Sequence, residues 1–155
     1  MRIIHTPGHA IGHCCLYFPA DEILYLGDID LGLFGSWYGD RVSSIDQTIN
    51  SIDTVVTIPA RVFITSHETG IIGGDMVEPA ERHRAVINER ETALVDFLDK
   101  PGTFGEIICR WITYKKPREP LKIFNFMESA HIRKHLERLL RNEKIRFENG
   151  MFSVV

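Results

Sequence analysis

Four short runs rich in β-branched and aromatic residues, Arg2–His5, His13–Phe18, Ile23–Leu26 and Arg61–Thr65, dominate the first half of this chain. Turn chemistry separates them: Pro7-Gly8, Pro19-Ala20-Asp21 and glycines at 27, 32, 35 and 39. Ahead of the last run, Ile45, Ile49, Ile52 and Val56 recur at helical spacing behind Ser43 and Ser44, either of which can cap the helix start. Strands enclosing an amphipathic helix predict an α/β layer in which the helix lays its apolar stripe on one face of a sheet. A strand delivers its last residue to one edge of such a sheet, where ligands bind in open α/β folds. Just past three of these runs, within two to four residues, stands a metal-ligand type: His9, Asp28 and His67.

Size and composition narrow the classes. At 155 residues, 44% hydrophobic and 25% charged, the chain suits one domain or one domain with an appendage. No apolar stretch approaches the roughly 18 residues of a membrane span, and no basic-then-apolar leader opens the sequence. Three cysteines, Cys14, Cys15 and Cys109, make no disulfide framework and read as reduced core thiols of a cytoplasmic protein. The net charge of −3 hides an asymmetry, because residues 110–155 hold 11 Lys/Arg against 5 Glu. That segment is +6 and the remainder −9, so its field can draw anionic partners or balance an acidic neighbour.

From about Pro79 the periodicity becomes helical. Val86, Leu94, Phe97 and Leu98 mark a long helix that Asp99-Lys100-Pro101-Gly102 ends. Thr103 and Glu106 have the spacing of a capping box ahead of Ile107, Ile108, Trp111 and Ile112, and Asn125 and Glu128 repeat it ahead of Ile132, Leu136, Leu139 and Leu140. Alternation at Ile145 and Phe147, then Asn149-Gly150, then Phe152 and Val154, signals a hairpin with a type I′ turn. Three helices and a terminal hairpin are the layout of a winged helix. The expected division is 1–79 for the α/β part and 80–155 for this module.

The candidate residues carry two readings each. A carboxylate such as Asp28 at the end of the most apolar strand is costly to bury unless paired or metal-bound, and neutral imidazole is a good ligand for zinc, iron or manganese. Asp30 can orient a ligand or start the loop; Glu68 can partner His67 or stand in solvent. Phe34, Trp37 and Tyr38, set among glycines, either line a substrate pocket or cover the core. Arg133, Lys134, Arg138 and Arg141 on one helix have the charge for phosphates, and an alternative function is therefore binding of nucleic acid or a protein.

His5-Thr6-Pro7-Gly8-His9 with Gly12-His13, then Leu26-Gly27-Asp28, then Ser66-His67, resembles the last three metal motifs of the metallo-β-lactamase-fold hydrolases. The likeness covers roughly Arg2 to Gly70, and Glu81–Leu98 resembles the helix that joins this fold to a winged-helix-like module. The resemblance implies the second half of an αββα sandwich, with His9 on one metal, His67 on the other and Asp28 bridging both. It makes His5 and His13 residues of the turn or supports of the ligands. It implies two divalent ions, zinc or else iron or manganese, whose hydroxide attacks an ester, thioester or phosphodiester. A di-iron redox role on the same fold lacks any appended redox module. The family's His-x-His-x-Asp-His cluster is absent, so each ion has two protein ligands where catalytic zinc usually has three. The expectation is thus a C-terminal portion, inactive alone, that pairs with the missing N-terminal half or self-associates through an exposed sheet. Small anionic substrates fit the basic segment; a membrane does not enter.

Overall fold

The computed structural model describes residues 1–67 and 69–155 and divides into two units, Met1–Ile87 and Asn88–Val155. In the first unit, β1 (Arg2–His5), β2 (Cys14–Phe18), β3 (Ile23–Gly27), β4 (Val62–Thr65) and β5 (Ile71–Gly73) form one sheet in sequence order. All pairs are antiparallel except β3–β4, which is parallel and joined across helix α1 (Ile45–Val56). The four strands read from the sequence are present. The short β5 is additional, and its three residues, flanked by glycines, are too few to show alternation.

Residues alternate across the sheet as the pleat demands. Tyr17, Leu24 and Phe63 stand side by side on one face and are buried together with Cys15, Leu26, Ile52 and Val55. This is the face that α1 covers. Ser44 caps α1 by accepting the Gln47 N–H, whereas Ser43 turns its hydroxyl to the His9 carbonyl at 2.6 Å. Ile45, Ile52 and Val55 are the fully buried members of its stripe, and Ile49 and Val56 pack half-buried at its edges. On the opposite face, Ile3, Leu16, Tyr25, Ile64 and Ile71 form a second cross-strand row. Its edge members Ile3 and Ile71 are 67% and 73% exposed.

Helix α2 (Val77–Phe97) contributes to both units. The second also contains α3 (Phe104–Ile108), α4 (Leu121–Arg141) and the hairpin β6 (Ile145–Glu148) and β7 (Met151–Val154). Leu94, Leu98, Ile107, Ile132, Leu136, Leu139 and Ile145 form its core. The capping box of Thr103 and Glu106 is made in full, and Asn149 and Gly150 take the positive φ values, 52° and 81°, of the expected turn.

Three expectations need correction. Helix α3 stops at Ile108, so Trp111 and Ile112 are buried from the connection that follows, where Trp111 sits at φ 52°. Asn125 and Glu128 cap nothing: α4 has already begun at Leu121, and the buried Glu128 carboxylate accepts the N–H groups of Thr113 and Tyr114. Cys109 is exposed, Cys14 half-buried and only Cys15 a core thiol, whose pKa burial raises to about 11. Among the described residues no helix is long and apolar enough to cross a membrane.

Candidate metal centre

The turn after β1 with His9, the residue after β3, Asp28, and His67, two residues past β4, meet at one end of the sheet. The turn Thr6–His9 leaves β1 and docks on the start of α1. There the Ser44 N–H bonds the Gly8 carbonyl at 2.9 Å, Ser43 Oγ bonds His9 O, and Ser51 Oγ bonds Pro7 O at 2.6 Å. The approach is so close that a Cβ on Gly8, whose φ is 140°, would lie 2.4 Å from the Thr48 nitrogen. Only glycine leaves room for that contact at such a φ. The small polar stripe Ser44, Thr48 and Ser51, one helical turn apart along α1, was the sequence signal for this docking.

His13, at the start of β2, ties the first turn to the second. Its Nδ1–H donates to the Thr6 carbonyl at 2.9 Å, which leaves Nε2 to accept the Asp28 backbone N–H at 3.0 Å. A Cβ on Gly27, at φ 60°, would stand 2.6 Å from that Nε2. Asp28 is thus held by its own backbone against an imidazole, with its carboxylate turned outward.

That carboxylate lies between two histidines. His9 Nε2 is 3.4 Å from Oδ2 and His67 Nε2 is 3.3 Å from Oδ1, one imidazole for each oxygen. His9 donates its Nδ1–H to the Trp37 carbonyl at 3.2 Å, so its Nε2 keeps a lone pair. A ligating histidine whose other nitrogen donates to a carbonyl is a common arrangement around bound metals. The side chains of His9, Asp28 and His67 are 27%, 33% and 67% exposed, so the set is open on one side. Asp30 reaches the same place by accepting the His67 N–H at 3.2 Å and, through its carbonyl, the Thr69 hydroxyl at 2.9 Å.

As donors, two neutral imidazoles and a carboxylate suit a divalent ion. As a count they fall short: among the described residues no group of three or more His, Cys, Asp or Glu side chains is arranged to hold one. Each Asp28 oxygen faces one imidazole.

The remaining sequence candidates sort as follows. His5 is exposed and donates its Nε2–H to the Ile11 carbonyl, away from Asp28. Glu68 lies outside the described residues. Tyr38 is fully buried with Ile45 and Ile87, while Phe34 and Trp37 are half-buried. In the second unit, Arg138 holds Glu91 at 2.6 Å and the Lys134 side chain is 12% exposed, while Arg133 and Arg141 are exposed. Sequence reasoning missed Thr6, Ser36, Ser51 and His83, whose partners lie 7 to 51 residues away.

Residues 1–67 match the family model of the metallo-beta-lactamase superfamily. A metallo-beta-lactamase family protein from Thermus thermophilus is 26% identical and superposes on 99% of this chain and 49% of its own, with a TM-score of 0.79. A beta-lactamase domain protein from Burkholderia ambifaria, 18% identical, shares the fold over 99% of this chain and 47% of its own, with a TM-score of 0.76. The chain spans about half the length of these solved structures. The family match over residues 1–67 and the likeness of the whole chain to the Thermus protein make this chain similar to the metallo-β-lactamase superfamily.

Proposed function

We propose that the chain supplies one side of a two-metal hydrolytic centre, with His9 and Asp28 on one ion, and Asp28 and His67 on the other. The observation that carries this reading is the Asp28 carboxylate, which turns a separate oxygen toward each imidazole. The ions, zinc in the first instance, would lower the pKa of a bound water and polarise a carbonyl or phosphoryl group. The chain's own residues do the holding. His13 fixes the Asp28 backbone, Asp30 the His67 backbone and the Trp37 carbonyl the His9 ring.

Two protein ligands per ion is one fewer than catalytic zinc uses, so the other ligands come from outside this chain, which binds metal weakly and is inactive by itself. The row Ile3, Leu16, Tyr25, Ile64 and Ile71, exposed at its edge members Ile3 and Ile71 and half-buried between them, supports the same view, since an apolar sheet face gains from a second layer. The second unit is winged-helix-like, and its positive charge favours an anionic ester, thioester or phosphodiester. Nucleic-acid binding ranks behind, because Arg138 is committed to Glu91.

The test is metal analysis and hydrolysis of generic ester, thioester and phosphodiester substrates by the protein in its full-length form, with and without Asp28→Asn. Two ions per chain and turnover are expected in the parent, and loss of both on substitution. Equal metal content without the Asp28 carboxylate would refute the bridging role.

A further inference from the structure

We propose that His83, on α2 and remote from the ligands in sequence, is a positioning residue for His9. It acts by clamping the 32–38 loop whose Trp37 carbonyl receives the His9 ring.

Three contacts carry the clamp, all within the first unit. His83 is 1% exposed, and its Nδ1–H donates to the Gly32 carbonyl at 2.9 Å. Because a carbonyl can only accept, Nδ1 holds the ring proton, and Nε2 accepts the Ser36 hydroxyl at 2.7 Å. One turn further on, Gly35 presses on Val86 so closely that a Cβ would lie 3.0 Å from Val86 Cγ1, and Gly35 adopts φ 83°. Beyond it Tyr38 is fully buried with Ile87 and Ile45. Residues 83, 86 and 87 form one face of α2, and they meet the loop at both ends and the middle.

Trp37 lies between Ser36 and Tyr38, both anchored, so its carbonyl cannot swing freely. That carbonyl accepts the His9 Nδ1–H at 3.2 Å and thereby leaves the Nε2 lone pair facing Asp28. A neutral imidazole without such a partner exchanges its proton between the two nitrogens, and a protonated Nε2 cannot ligate a metal. The clamp therefore selects the His9 tautomer, and Ser36 is the joint through which His83 does so. That this tautomer serves a metal rests on the function proposed above; the clamp itself does not.

The test reads the ring nitrogens of the 15N-labelled chain at pH 8. In the parent, His9 should show a protonated Nδ1 and a bare Nε2. Ser36→Ala, a mild change, and His83→Gln should each move His9 toward the Nε2-protonated form. His13, whose Nδ1–H goes to Thr6, should keep its tautomer and serves as the internal reference. In the same variants the zinc Kd should rise about 10- to 100-fold. An unchanged His9 in folded Ser36→Ala overturns the clamp, as does a shift of His9 and His13 together, which signals general loosening. A parent that shows the expected His9 tautomer yet binds no zinc in full-length form would refute the metal-hydrolase reading and leave the clamp standing.

Discussion

Gly8 and Gly27 show how much of the centre depends on the absence of a side chain. Each bears a positive φ, and each faces a group closer than a Cβ tolerates: the Thr48 backbone for Gly8, the His13 ring for Gly27. Replacing Gly8 with Ala should cost about 1–3 kcal/mol, because the obstacle is helix backbone and cannot rotate aside. Urea denaturation would measure it. Gly27→Ala meets a side chain instead, so the ring should give way, and loss of the His13 bond to Asp28 should appear in the His13 ring signals. His9, Asp28 and His67 were legible because each lies within four residues of the end of a strand that the alternation reveals. Ser36 and His83 were not, since a Ser and a His 47 residues apart carry no local mark of their hydrogen bond.

Elements were predictable where local chemistry decides them. The Thr103–Glu106 box, the Ser44 cap and the Asn149-Gly150 turn are satisfied among residues no more than three apart in sequence. Thr103→Ala should lower stability by about 1 kcal/mol, read from the urea midpoint, through the exposed amide it leaves behind. Ser51→Ala removes a hydroxyl that holds the Pro7 carbonyl, and should cost about 1 kcal/mol in the same assay. Glu128 shows where the local rule fails. Its spacing from Asn125 imitates a cap, but its carboxylate answers two distant amides, Thr113 and Tyr114, in a buried place. Such a site wins over a terminal amide because an unsatisfied buried N–H costs more than one that water can reach.

Across the molecule, the second unit's buried polar groups set a pH response. Burial holds His131 well below the ordinary histidine range, with Arg90 and His135 adding to it. Burial also lowers His135, against the pull of Glu91. Both fold as neutral rings, so below their ordinary value of 6.5 the unfolded chain takes up protons that the folded one refuses, and stability falls with pH. Burial would raise Glu91, but hydrogen bonds from His135 and Arg138 prevail and lower it, which extends the loss below pH 4.5. Glu128 is raised by burial and acts in the opposite sense: its contribution is complete below 4.5 and lost as pH rises, so it offsets part of the decline. Urea midpoints should drop between pH 7 and 5, and His131→Phe should flatten that slope; an unchanged slope would exclude His131 as its source. By itself the sequence determined the four long strands of the sheet, the Ser44 and Thr103 caps and the terminal hairpin, because periodicity and turn chemistry act over a few residues. Only the tertiary structure decided that Asp28 offers one oxygen to each histidine, that α1 and α2 hold the loops carrying His9 and Trp37, and that Ile3 and Ile71 stand exposed at the sheet edges. Those arrangements arise from contacts between segments tens of residues apart, where packing alone chooses the partner.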